Sequence, residues 1–222
     1  MTKDLKSFSP VTFAFERLFF ALQYTSPANL LFGTRLNLQH GLTEDEIVRN
    51  ARRRGRQIEA YVFTWALVEA VCVGVTSARH GECQALETIA IVIVACRVLE
   101  IFQAGVNLNL FDQLRSNPGS HRVASTTRLI VLSAWNFAEL IVCFGVVYGS
   151  SFATLSDQSG GLTPYYFSLI TQFTIGYGDI CPKGGTRAIA MAQASLGFLF
   201  ALFALSRLVA FLPRARPVVD EE

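Results

Sequence analysis

Four apolar stretches, at residues 60–78, 86–110, 129–148 and 188–211, decide most of what this chain can fold into. Each is close to or above the roughly 20 residues that a helix needs to cross a bilayer core. Lipid offers no hydrogen bonds, so backbone polar groups inside it must be bonded within the protein, and segments of this length meet that demand as helices. Composition agrees: 51% of the residues are hydrophobic and 16% charged, where a soluble domain carries about 25% charged. The second stretch is the least apolar, because Arg97, Glu100, Gln103 and Asn107 interrupt its inner half.

Lys and Arg concentrate in cytoplasmic loops. Arg49, Arg52, Arg53, Arg54 and Arg56 precede the first stretch, Arg115 and Arg122 lie between the second and third, and Arg214 and Arg216 follow the fourth. The other two connections carry Arg79 in one and Lys183 with Arg187 in the other. This distribution predicts both termini in the cytoplasm and the connection between the third and fourth spans outside.

That outer connection contains the hexapeptide Thr174-Ile175-Gly176-Tyr177-Gly178-Asp179. A bare ion in a narrow pore must recover its lost hydration energy, which strand-like backbone supplies when successive carbonyl oxygens point to one axis. Such alignment alternates right- and left-handed backbone, and only glycine enters the left-handed region without a penalty of roughly 1–2 kcal/mol. Gly176 and Gly178 provide that freedom. Ahead of the hexapeptide, Thr163 is placed to cap a helix whose first position is Pro164, which predicts a helix over 164–173. It is too short to span the bilayer, so it would enter and return on one side, with its carboxyl end aiming partial negative charge at a cation.

From residue 163 to 211 the chain resembles the tetrameric potassium channel family, through Pro-Tyr-Tyr-Phe-Ser-Leu-Ile-Thr-Gln-Phe, the hexapeptide and the last apolar stretch. The resemblance implies a selectivity filter formed by Thr174, Ile175, Gly176, Tyr177, Gly178 and Asp179. The carbonyls of Thr174, Ile175, Gly176 and Tyr177 would hold K+, and the Thr174 hydroxyl would close the inner site. Tyr166 and Phe167 stand at the positions of the pore-helix aromatics that brace the filter tyrosine. Gly197, ten residues after Arg187, resembles the inner-helix gating glycine. Two positions depart from the family pattern: Phe173 stands where many members carry Thr or Ser, and Ile170 replaces an acidic residue found in some bacterial members.

The expected fold is an all-α membrane protein with four transmembrane helices, one re-entrant pore helix and one filter loop per chain. Its segments are a cytoplasmic or interfacial amino-terminal part at 1–58, two peripheral spans within 59–110, a pore module at 128–212 and a cytoplasmic tail at 213–222. Within the pore module the pore helix is expected at 164–173, the filter at 174–179 and the inner helix at 187–211. Encircling an ion takes four filter strands, so the expected assembly is a homotetramer, or a tetramer with related chains, in the plasma membrane. The expected function is passive, selective K+ conduction; the alternatives are a non-selective cation channel and a non-conducting modulatory subunit.

Several further features admit two readings. Val11, Phe13, Phe15, Leu18, Phe19 and Leu22 form either an interfacial anchor or a face packed on the channel's own helices. Thr43 and Glu46 form a capping box, and the helix they begin is expected to run through the arginine cluster into the first span. Those arginines serve as a topology anchor or bind anionic lipid; a nucleic-acid role is poorly supported at a net charge of +2. Glu69, Arg97 and Glu139 fall near the midpoints of their spans, where each charge costs roughly 2.5–3.5 kcal/mol. Pairing of Arg97 with Glu69, Glu139 or both is therefore expected, with Glu100 able to join, either as an ionic clasp or as a gating or proton-sensing device. No span carries arginine at every third residue, so at most weak voltage dependence is expected.

In the fourth span Gly197, Ala201 and Leu205 share a side, and Ala190, Ala194, Ser195 and Ala204 add small residues. The side lines a pore that gates by dewetting, or packs on neighbouring helices. Cys72, Cys96 and Cys143 lie within spans as small hydrophobes, and a bond between Cys83 and Cys181 is not expected from sequence. His40, His80 and His121 lack metal-ligand spacing. No cofactor is expected beyond K+ as the permeant ion, and the sequence carries none of the common catalytic motifs, so an enzyme is not expected.

Overall fold

The computed structural model describes Arg17 and residues 44–78, 84–106 and 126–211. Among them are five helices and no strand: α1 (Glu44–Ala78), α2 (Gln84–Val106), α3 (Thr126–Tyr148), α4 (Thr163–Gln172) and α5 (Thr186–Phe211). The chain divides into two compact units, Met1–Ala124 and Ser125–Glu222. The amino-terminal stretch from Val11 to Leu22, apart from Arg17, the tail at 213–222 and Cys83, His40, His80 and His121 lie outside the described residues.

Four helices are long and apolar enough to cross a membrane, over Gly55–Ser77, Gln84–Val106, Ile130–Tyr148 and Thr186–Ser206. This is the all-α membrane fold expected from the apolar pattern. In the first unit α1 packs against α2. With 35 residues, α1 is about 52 Å long, so a core of about 30 Å leaves its first turns projecting beyond the hydrocarbon. The helix passes through the arginine cluster without a break. Arg49, Arg53 and Arg56 are exposed on it, as are Phe63, Leu67 and Val71. Spacings of three, four and seven residues put all six on one helical face, so the basic stripe continues an exposed apolar stripe.

In the second unit α3, α4 and α5 surround one small core, with α4 packed against both longer helices. Gly145 makes the closest approach possible: a Cβ there would lie 2.2 Å from the Tyr165 ring, so the absence of a side chain on α3 lets α4 sit directly against it. Phe167 meets Tyr148 edge to face at 4.9 Å, and both are buried.

Helix α4 begins one residue earlier than the sequence predicts, and Thr163 does not cap it. Leu162 holds the cap position with no side-chain cap bond, and the Thr163 amide is bonded to the Gly160 carbonyl at 3.0 Å. The fixed φ of Pro164 still suits the first turn. The Thr163 amide is met by the preceding turn and not by a side-chain cap.

Candidate functional site

The hexapeptide starts as the end of a helix. Ile175 N donates to the Ile170 carbonyl at 2.8 Å, and Thr174 N donates to the Thr171 carbonyl at 3.0 Å. These two bonds are the six-to-one and five-to-two pair of a Schellman ending, with Phe173 as the cap and Thr174 in the left-handed position beyond it, at φ 55°. Glycine is the usual occupant of that position, because a β-branched side chain there costs roughly 1–2 kcal/mol. Sequence reasoning named Thr174 as a filter residue but not its left-handed conformation, since nothing in a threonine signals a glycine's backbone.

Gly176 at φ 56° and Gly178 at φ 79° continue the pattern, so the left-handed residues are 174, 176 and 178. No positive φ occurs at the residues between them. Alternation of hand is the condition on which a row of like-facing carbonyls depends. The amides of Thr174, Ile175 and Gly176 are engaged by carbonyls of α4. All six side-chain positions, Thr174 to Asp179, are exposed in the single chain, with Tyr177 at 71% and Ile175 at 48%.

The outer end of the ribbon is tied down at several points. Tyr166 OH donates to Asp179 Oδ2 at 2.8 Å, and that carboxylate holds the Tyr166 phenol above its ordinary pKa. Asp179 Oδ1 accepts from Ile180 N at 3.0 Å. Beyond it Cys181 is bonded through both backbone groups to Ser156, at 2.8 Å each. Lys183 N donates to the Thr154 carbonyl, and the Thr154 amide donates to Thr186 Oγ1, both at 2.8 Å. The loop after the hexapeptide is thus stitched to the loop after α3. Cys181 Sγ lies 3.5 Å from the Gly178 carbonyl.

Behind the inner end lies a buried polar cluster that no motif announces. Tyr148 OH on α3 donates to Gln193 Oε1 at 2.8 Å. Gln193 Nε2, on α5, donates to the Ser168 carbonyl at 2.9 Å, to Ser168 Oγ at 2.8 Å and to Gln172 Oε1 at 3.2 Å. Ser168 Oγ in turn donates to the Ile141 carbonyl at 2.7 Å. All four side chains are buried, and Gln172 Nε2 has no hydrogen-bond partner among the described residues. Four polar residues on three apolar helices are individually unremarkable in sequence; only packing brings them together.

Gly197, one turn after Gln193, is buried against the last residue of α4. A Cβ at Gly197 would lie 2.7 Å from the Gln172 carbonyl oxygen. Ala201 and Leu205 are exposed on the same helix. Phe173 meets Phe137 edge to face at 5.2 Å while keeping half of its surface exposed.

Glu69, Arg97, Glu100 and Glu139 are all buried. The described ion pair joins Arg97 Nη1 to Glu100 Oε2 at 3.0 Å, within a single turn of α2. Contact across to α1 is made by aromatic side chains: Tyr61 donates its hydroxyl to Glu100 Oε1, and the Arg97 guanidinium lies 4.9 Å from the Trp65 ring centre and 5.5 Å from that of Tyr61. A desolvated cation over aromatic rings gains about 2 kcal/mol. In the second unit Glu139 accepts from Trp135 Nε1 at 2.7 Å. Neighbouring turns of one helix therefore supply part of what the sequence assigned to other helices.

Residues 136–214 match the family model described as "Ion channel". The chain is also 28% identical, over 115 residues, to the protein named "Two-pore potassium channel 4" of Arabidopsis thaliana, an alignment covering 47% of this chain and 39% of that one. No solved structure matches the chain. The match takes in α5, α4 and most of α3, with the whole hexapeptide between them. Residues 136–214 are thus similar to ion-channel sequences, and the relative named above is a potassium channel, of which the alignment spans less than half.

Proposed function

We propose that the chain is one subunit of a potassium-selective channel, in which four copies place their hexapeptides around a shared axis and let K+ pass down its gradient. The observation that carries this reading is the left-handed backbone at Thr174, Gly176 and Gly178 in alternation with the residues between. In this reading the carbonyls of Thr174, Ile175, Gly176 and Tyr177 replace water around the ion, Gly178 and Asp179 form the outer lip, and the Thr174 hydroxyl closes the inner site. The sequence contains the hexapeptide once, so four chains, alike or related, complete a ring. Exposed Ile175 and Tyr177 support a filter whose side chains are covered by neighbouring copies. Ala201 and Leu205 then line the inner cavity, the membrane is the plasma membrane with both termini cytoplasmic, and the channel needs no cofactor and catalyses no reaction. Exposed Arg49, Arg53 and Arg56, continuous with the exposed apolar side of α1, support contact with anionic headgroups.

Purified chain reconstituted into vesicles tests this. K+ flux well above Na+ flux, from particles with the mass of four chains, is expected. Equal K+ and Na+ flux refutes selectivity, and absence of flux across pH, voltage and lipid composition leaves the modulatory role in its place.

A further inference from the structure

Gln193 of α5 bonds to both of the other helices of the pore module. Its carbonyl oxygen takes the Tyr148 hydroxyl of α3, and its amide nitrogen is shared among the Ser168 carbonyl, Ser168 Oγ and Gln172 Oε1 of α4. The orientation of the amide is settled by these partners, because only the nitrogen can donate to the Ser168 carbonyl. Neither end of it reaches solvent. In such surroundings a hydrogen bond is strengthened, and one left unmade is expensive.

One turn further along α5, Gly197 holds the same residue from another side: its bare backbone admits the Gln172 carbonyl into the place a methyl group would take. Gln172 is therefore gripped at its side chain by position 193 and at its backbone by position 197. It is the last residue of α4, and two residues later the chain is already in the left-handed conformation of Thr174. Conformations of that kind persist only where the surroundings over-determine them. The Gln172 side chain keeps one further donor, Nε2, buried and without a partner, so its placement is held from Gln193 and not by a second bond of its own.

We infer that Gln193 is the positioning residue for the inner end of the filter: through Gln172 it fixes where the Thr174 carbonyl and hydroxyl stand, and a shift of α5 reaches the ion file by this route. The inference rests on the potassium-channel reading above. Its chemistry requires a donor at position 193, not merely volume. A side chain of equal length without the amide fills the space and leaves Gln172 free to turn, which widens the inner ring and lets Na+ compete.

The test compares K+/Na+ permeability ratios, from reversal potentials in bilayers, for the wild type, Gln193→Met, Gln172→Met, the double variant and Tyr148→Phe. Assembly of each is followed by mass and by thermal stability in detergent. The expected result is a fall of at least fivefold in the ratio for Gln193→Met and a smaller fall for Tyr148→Phe, which removes a single bond to the same amide. In the double variant the Gln172 amide stranded by Gln193→Met is gone as well, so thermal stability recovers in part, the Tyr148 hydroxyl still lacking its acceptor. Its permeability ratio stays low, which a purely structural role does not produce. An assembled Gln193→Met channel with the wild-type ratio overturns the inference. If Gln193→Met does not assemble, Tyr148→Phe decides: an unchanged ratio overturns the inference and a reduced one supports it. A wild type that conducts without selectivity, or not at all, in the same bilayers refutes instead the function on which it rests.

Discussion

Replacing Gly197 with alanine separates two reasons for a glycine in the middle of α5. If the residue serves to let the helix bend, alanine removes a flexible point and stabilises the helix by about 1 kcal/mol. The structure gives the opposite sign. The added methyl would lie 2.7 Å from the Gln172 carbonyl oxygen and 3.3 Å from its side-chain amide. The nearer atom is backbone, so it moves only if α4 moves. Overpacking of this kind costs about 1–3 kcal/mol, and subtracting the helix-propensity gain leaves a net loss of about 1 kcal/mol. For a chain of this size that lowers the melting temperature by about 2–4 °C. Thermal unfolding of detergent-solubilised protein reads the shift, and K+ flux read alongside is expected to fall because the displaced residue precedes the filter. A raised melting temperature with undiminished flux would refute the contact argument and return Gly197 to the role of a hinge.

Thr174→Gly relieves a left-handed β-branched residue, so stability in K+-free buffer is expected to stay level or rise by up to about 1 kcal/mol while K+ flux drops with the lost hydroxyl; a marked loss of stability contradicts the Schellman assignment. Tyr166→Phe removes the bond to Asp179 and is expected to hasten the decline of conductance during sustained flux. Because the Tyr166 phenol is raised by that carboxylate, the protonated donor's contribution is complete below about pH 10 and is lost as pH rises through the raised value. Wild type and variant should therefore converge only in strong alkali, and convergence near neutrality would count against the contact. Arg97→Met leaves the buried Glu100 carboxylate without its cation and is expected to destabilise the protein by about 3–5 kcal/mol, most of it recovered when Glu100→Met is added; thermal unfolding of the single and double variants measures both.

The spans were legible because a bilayer imposes one demand on every residue of a long segment, and an average over 20 residues carries that demand plainly. The hexapeptide was legible for a related reason: Gly176 and Gly178 advertise their backbone by lacking a side chain, and both are left-handed. Thr174, named with them as a filter residue, shares their conformation, which was not foreseen because nothing in threonine announces it. The start of α4 was misplaced by a residue because Thr163 has the chemistry of a cap, whereas the turn that precedes it had already satisfied the amides concerned.

Charges and amides inside the spans divided differently. That Arg97 would need partners followed from the energetics of lipid, and Glu100 was named among them; the rings of Tyr61 and Trp65, which also meet it, were not. Tyr148, Ser168, Gln172 and Gln193 are separated by as many as 45 positions, and no local pattern links them.

Class, span count and the place of the filter are local or averaged properties, written in hydrophobicity and in glycine, and they can be read one segment at a time. Which buried polar group meets which depends on how helices rotate and slide against each other. That rotation is set by contacts as small as the missing side chains of Gly145 and Gly197, through which α4 lies close against α3 and α5. Directional bonds over 3 Å distances are decided by that packing, so the support beneath the filter belongs to the tertiary structure alone.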